Sequence, residues 1–199
     1  MGYLAKYAEI QRQLQTLFNS HPKVLILGIG ENRMGDDGAG QWISFNLDKQ
    51  ITSPEICIIN GGITPEERLS EILDFQPNLM IVIDVVGTDN LPGSVGLFEE
   101  KQMLNYLPIS SHSMPLPVFV DRCKIGVPNL QMILLGICPY SLQFLESYKL
   151  YKEDEYDLDA KEADPNIPFY DFNMDPKMKS LSDEIVALFV QIFKENAYI

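Results

Sequence analysis

The sequence predicts an α/β domain of three layers, a mostly parallel, twisted sheet with helices on both faces. Three observations carry this. Short apolar runs suited to buried strands recur along the chain. Segments with apolar residues at helical spacing lie between several of them. Glycine, proline and acidic residues mark the ends of the runs. Strands alternating with helices imply parallel pairing through crossovers, and crossovers cover both faces.

The elements follow in order. Leu4, Tyr7, Ile10, Leu14 and Leu17 recur at helical spacing, so residues 1–22 read as an N-terminal helical extension ended by His21–Pro22. Val24–Leu25–Ile26–Leu27 is the first buried strand and turns at Gly28–Ile29–Gly30. From Asp37 the spacing becomes helical, with Ala39, Trp42, Ile43 and Leu47 on one face. Ile56–Cys57–Ile58–Ile59 is the second strand, stopping at Asn60–Gly61–Gly62. Thr64 as N-cap, Pro65 at the first position and Glu67 as the closing acid predict a capping box opening the next helix, with Leu69, Ile72 and Leu73 inward.

Leu79–Met80–Ile81–Val82–Ile83 is the third strand, ending at Asp84, and Ser94–Val95–Gly96–Leu97–Phe98 is a shorter fourth after a Pro92–Gly93 turn. Leu116, Phe119, Val120 and Cys123 predict a helix, Met132–Ile137 the fifth strand, and Leu181, Ile185, Leu188, Ile192 and Phe193 a long C-terminal amphipathic helix. The stretch 146–175 breaks the rhythm. It is acidic and rich in tyrosine and phenylalanine, which reads as a solvated excursion or as a specificity loop contacting a partner. The whole chain, 1–199, reads as one domain carrying the extension and this insertion.

Composition narrows the function. A formal net charge of −13 argues against nucleic acid and against docking on an anionic membrane. No run approaches the ~18 apolar residues of a membrane span, and the opening residues read neither as a signal peptide nor as a myristoylation site. Cys57, Cys123 and Cys138 are far apart in apolar sequence, which reads as buried free thiols in a reducing cytoplasm. With two histidines, His21 and His112, an HExxH zinc site is excluded. So are CxxC zinc sites and a GxSxG serine elbow.

Carboxylate-rich loops after strands remain. Sites in open parallel sheets form beyond the carboxyl ends of the strands. Three segments lead there: Gly28 to Gly38, which contains Asp36 and Asp37; Asp84; and Ser110–Ser111–His112–Ser113. A doubly wound sheet can bring Asp37, Asp84 and His112 to one edge. Two carboxylates and a neutral imidazole suit nickel or zinc and leave positions open for a substrate group or water. Each residue alone has an ordinary reading, Asp37 as a helix N-terminal acid, Asp84 as a cap and His112 as a loop residue.

These segments together resemble a known family. Leu27–Gly28–Ile29–Gly30 running to Met34–Gly35–Asp36–Asp37–Gly38–Ala39–Gly40 resembles the opening signature of the hydrogenase maturation proteases, most similar to those serving the formate-hydrogenlyase hydrogenase. Asn60–Gly61–Gly62 resembles that family's Asp-Gly-Gly turn, Ile81–Val82–Ile83–Asp84 its third-strand aspartate, and Ser111–His112–Ser113–Met114–Pro115–Leu116 its histidine segment. Order and spacing match over about residues 23–140. Glu31 and Asn60 depart from the pattern, which has asparagine and aspartate there, and the 146–175 stretch has no counterpart.

The resemblance implies a five-stranded twisted sheet with one antiparallel strand. It implies an endopeptidase that removes a short C-terminal extension from the large-subunit precursor of a nickel–iron hydrogenase once nickel is inserted. Asp37, Asp84 and His112 then bind nickel supplied by the substrate, and Asp36 holds a water or an outer-shell contact. The nickel either polarises the scissile carbonyl or activates water. The expected partner is that precursor, with a monomeric enzyme acting in the cytoplasm. Three other readings stay open: a non-catalytic assembly scaffold or chaperone of the same fold, a small nucleotide-binding Rossmann-like domain, and a metal-dependent hydrolase of small molecules.

Overall fold

Strand β1, Val24–Ile29, is buried along its whole length, as a central parallel strand must be. The computed structural model describes residues 7–32, 34–51, 53–87, 90–103, 107–108, 114–141 and 174–199. Around β1 stand β2 (Ile56–Gly62), β3 (Leu79–Gly87), β4 (Val95–Glu99) and β6 (Gln131–Ile137). The sheet order is β2-β1-β3-β6-β4. β1 pairs in parallel with β2 and β3, and β3 with β6, while β4 runs antiparallel along β6. This is the expected five-stranded mixed sheet with one antiparallel strand. A two-residue strand, β5 (Leu107–Pro108), adds an antiparallel pairing at the end of β3.

Alternation along the strands sorts the core into two layers. Val24, Ile26, Ile81, Ile83, Val85, Ile133 and Leu135 face one way. They pack under α1 (Ala8–Ser20), α2 (Ala39–Asp48) and α6 (Pro176–Glu195). Leu25, Leu27, Met80, Val82, Val86 and Leu134 face the other way, under α3 (Leu69–Phe75) and α5 (Leu116–Gly126). A four-residue α4, Glu100–Met103, follows β4. The N-terminal helix is held to the last one by aromatic edges, with the Phe18 ring 5.4 Å from Phe193 and 6.3 Å from Phe189. The Trp42 indole N–H donates to Asp183 at 2.8 Å and ties α2 to α6. Among the described residues no helix is long and apolar enough to cross a membrane.

Three local expectations change. The helix expected from Asp37 opens with a 3-10 turn, Gly35–Gly38, and becomes α-helical at Ala39. The capping box at Thr64 does not form: Thr64 makes no side-chain cap bond, and Pro65–Arg68 is a 3-10 turn leading into α3. Proline removes one amide donor from that first turn, and the Thr64 carbonyl takes the Glu67 N–H at 3.0 Å instead. β3 does not stop at Asp84 but continues to Gly87, because β6 and then β5 still pair with it. Of the insertion expected over 146–175, all but Met174 and Asp175 lies outside the described residues, as do residues 1–6 of the N-terminal extension.

Close approach of α2 to the sheet sets up the carboxyl edge. A β-carbon on Gly40 would lie 2.3 Å from the carbonyl oxygens of both Ile29 and Ile83, which are backbone atoms unable to move aside. Gly40→Ala is therefore expected to push α2 off the strands and destabilise the protein by about 3 kcal/mol or more, at the upper end of overpacking costs. Denaturant titration checks this; an unchanged midpoint would show that the helix start does not sit on β1 and β3 this tightly.

Candidate functional site at the carboxyl edge of the sheet

The loop after β1 is built on one glycine with unusual geometry. Gly30 has φ +130°, and a β-carbon there would meet the Asp37 carbonyl oxygen at 1.9 Å. The chain thus folds back on itself, placing the Gly35–Gly38 turn against Gly30. Gly30 N–H donates to the Gly62 carbonyl at 3.1 Å, which ties the loop to the end of β2. Glu31 N–H donates to the Asp37 carboxylate at 2.7 Å. Asp37 is 1 % exposed. The space beside Gly30, where a dinucleotide fold would admit a pyrophosphate, is filled by this turn, which removes the main structural basis of the nucleotide-binding reading.

Asp84 lies inside β3, 4 % exposed, one position beyond the residue that pairs with Gly28. Strand alternation sets it on the same face as Val82 and Val86, the α3 and α5 face. Its Oδ1 accepts the Val85 N–H at 2.8 Å. The Gly35–Gly38 turn packs against β3, so the segments carrying Asp37 and Asp84 meet at the carboxyl edge. His112 falls outside the described residues. Among the described residues no three histidine, cysteine, aspartate or glutamate side chains form a metal-holding group. Two buried carboxylates are hard oxygen donors, and a low-dielectric edge strengthens their attraction for a cation.

Asp36 has a different placement from its neighbour. It is 1 % exposed, and its two oxygens accept three backbone N–H bonds of 2.8 Å, from Tyr140 and Ser141 on Oδ2 and from Asp175 on Oδ1. One carboxylate thus joins the β1 loop to the chain after β6 and to the N-cap of α6. Its donors lie 104, 105 and 139 positions away, so no local pattern announces them. The only hint in the sequence is a second aspartate in an apolar-flanked glycine loop, where an ion needs partners.

Of the two departures from the family pattern, the one at Asn60 has a local explanation. Asn60 Oδ1 accepts the Gly62 N–H at 3.3 Å, a turn that an amide oxygen closes as a carboxylate would. Glu31 contributes its backbone to the loop through the bond to Asp37 and by accepting the Met34 N–H at 3.0 Å.

No thiol is suited to nucleophilic work. Cys57 lies in β2, Cys123 is buried in α5 and Cys138 follows β6, buried. Burial pushes the Cys123 thiol up to about 11, and burial, with help from the Glu71 and Asp48 charges, raises Cys57. At pH 8 a thiol of that acidity is ~0.1 % thiolate. Cys123 in the native protein is therefore expected to react with iodoacetamide at least ~100-fold more slowly than in the unfolded chain. Peptide mapping after timed alkylation checks this, and equal rates would contradict the burial.

Fold and site together define a class: a small α/β domain with buried oxygen donors at the carboxyl edge of its sheet. Comparison with known proteins gives the family. A family model described as hydrogenase maturation protease matches residues 43–154, more than half of the chain; that stretch contains Asp84 and His112, and Asp36 and Asp37 precede it. A relative from Methanocaldococcus jannaschii named as a putative hydrogenase maturation protease is 30% identical over 129 residues, spanning 61% of this chain and 75% of the relative. The hydrogenase 3 maturation protease of Escherichia coli K12 is 27% identical over 117 residues, spanning 58% of this chain and 72% of that protein.

The chain belongs to the hydrogenase maturation protease family. Solved structures share its fold. The crystal structure of a [NiFe] hydrogenase maturation protease HycI from Thermococcus kodakarensis KOD1 superposes with TM-score 0.69 at 21% identity, covering 92% of this chain and 99% of that one. The hydrogenase maturating endopeptidase HYBD of E. coli gives TM-score 0.60 at 19% identity, over 87% and 93%.

Proposed function

We propose that this chain is an endopeptidase that removes the C-terminal extension of a nickel–iron hydrogenase large-subunit precursor, and that it recognises the precursor through the nickel the precursor carries. The observation that supports this most is the pair of buried carboxylates, Asp37 and Asp84, on segments that meet at the carboxyl edge of β1 and β3. With His112 they supply two oxygens and one imidazole nitrogen, enough to complete the coordination of a nickel held by substrate thiolates and too few to fill it. His112 lies four residues after Pro108, which pairs with Val86, and four before Leu116, where α5 begins.

In this reading Asp37 and Asp84 hold the metal end of the substrate, and the scissile carbonyl or an attacking water sits beside it. An empty precursor offers these groups nothing to bind, so loaded and empty substrates differ in affinity at the site itself. The metal's chemistry is Lewis acidity toward the carbonyl or water. The enzyme is expected to act as a monomer in the cytoplasm.

His112→Ala tests the ligand set. The variant is expected to process loaded precursor at least ~100-fold more slowly than wild type, since a ligand is lost from a site that has only three. Undiminished processing would remove His112 from the site and with it the metal bridge.

A further inference from the structure

The sheet ends at β2 on an edge with unpaired backbone groups. Alternate residues of a parallel strand turn their N–H and C=O to opposite sides. Val24 is the partner of Ile56, and its N–H donates to the Glu55 carbonyl at 3.0 Å, so Cys57 and Ile59 turn theirs toward β1. Ile56, Ile58 and Asn60 turn theirs away from the sheet. The Ile56 N–H is taken by the Ser53 carbonyl at 3.3 Å. Among the described residues nothing pairs with the outward backbone groups of Ile58 and Asn60. Edges are commonly blunted by lysine, proline or a bulge, because an open one invites another strand. Ile56 to Asn60 has no proline and no charge, and the register shift with β1 falls beyond Asn60. Cys57 and Ile58 are only half-buried, and an added strand would cover them. β4, the other edge, is shorter, and its Glu99 N–H is taken by Gln102 at 2.8 Å.

We propose that β2 takes the C-terminal extension of the substrate as an added strand, pairing with Ile58 and Asn60, and that the segment so held is positively charged. The inference rests on the endopeptidase reading above and adds where the peptide to be released docks. Charge argues for the chemistry of that segment. Asp48 at the end of α2, Glu55 before β2 and Glu67 in the turn leading to α3 are exposed, and among the described residues none has a basic partner. Nearby cations are engaged elsewhere, Arg68 with Glu71 at 2.8 Å and Lys49 3.6 Å over the Phe45 ring. Uncompensated negative charge around the edge attracts lysine and arginine. Position argues for the extension. Asn60 is level with Gly28, and Gly28 with Ile83, the residue before Asp84. Two positions on, the Gly62 carbonyl holds Gly30, against which the Asp37 turn folds. A strand outside β2 lies about 10 Å from β1, two strand spacings, which about three extended residues cross. The extension begins at the bond to be cut, and a short terminal peptide is free to extend along an edge, where main-chain bonds supply affinity.

The test reads amide hydrogen exchange residue by residue in the full chain. The C-terminal extensions of the hydrogenase large subunits of its own organism are each supplied as synthetic peptides, in excess. One of them is expected to slow exchange at Ile58 and Asn60 by at least ~tenfold, as new hydrogen bonds do. Leu97, which alternation from the Ser94–Cys138 bond turns outward on β4, is expected not to change. Asp48→Lys combined with Glu55→Lys is expected to weaken that peptide's binding by at least ~fivefold and to flatten its salt dependence; unchanged binding would overturn the charge preference. Equal exchange at Ile58 and Asn60 with and without every peptide would overturn the added strand.

Kinetics give a second readout. Ile58→Pro removes an N–H that faces out of the sheet, a place where an edge strand tolerates proline. It is expected to raise KM for nickel-loaded precursor by at least ~tenfold, the worth of about one main-chain bond and its neighbour, with kcat little changed. Leu97→Pro on β4 is expected to change neither, and an unchanged KM in Ile58→Pro would overturn the strand. If Ile58→Pro does not fold, the exchange result decides. The two readings fail separately: protection at Ile58 and Asn60 by the extension of a precursor that is bound and never cut keeps the edge and sinks the endopeptidase, while cleavage without protection does the reverse.

Discussion

Asp84→Asn and Asp37→Asn are each expected to reduce processing of nickel-loaded precursor by at least ~100-fold, about 2.7 kcal/mol of barrier, while leaving the fold intact. The reasoning separates charge from shape. Asp84 Oδ1 accepts the Val85 backbone N–H, and Asp37 Oδ2 accepts that of Glu31. An asparagine oxygen can accept either bond, so loop and strand keep these contacts. The lost quantity is the negative charge, and a neutral amide is a much weaker ligand for a divalent cation. Melting temperatures within a few degrees of wild type, with processing abolished, are the expected pair of results. Normal processing by either variant would mean that its carboxylate does not touch the metal.

Asp36→Ala is expected to behave in the opposite manner, with a large loss of stability. It removes the shared acceptor of three 2.8 Å backbone bonds from Tyr140, Ser141 and Asp175. Bonds to a charged group contribute about 1.5–3 kcal/mol each, and buried donors left without partners add a further penalty. Non-additivity reduces the sum, so the expected cost is about 4 kcal/mol, or a fall in Tm of roughly 10 °C for a chain of this size. Asp36→Asn should fall between, because its amide presents N–H groups to donors. Calorimetry of the three proteins checks the order. Equal melting temperatures would show that these contacts do not hold the loops together. The adjacent aspartates of one motif are thus expected to divide the work, Asp36 in the fold and Asp37 in the chemistry.

Much of the fold was legible because parallel strands bury both faces and read as unbroken apolar runs: Val24 to Leu27, Leu79 to Ile83 and Met132 to Ile137 stand in strands as expected, with β1 running on through the expected turn to Ile29. Where the run was interrupted, the reading failed. Asp84 looked like a strand end because it is charged, yet pairing with Gly136 carries β3 past it. The 3-10 turns at Gly35 and Pro65 escaped notice because they share helical composition and differ in hydrogen bonding. At the site, glycine spacing and acid placement pointed to Asp37 and Asp84. The clamp at Asp36 could not be seen, since it depends on contacts between distant parts of the chain.

The most direct measurement of the central claim is mass spectrometry of a candidate large-subunit precursor after incubation with the purified protein, nickel-loaded in one sample and nickel-free in the other. The account predicts loss of a short C-terminal peptide from the loaded precursor alone. Equal cleavage of both would contradict recognition through nickel, and binding of the loaded precursor without cleavage of either would contradict the endopeptidase.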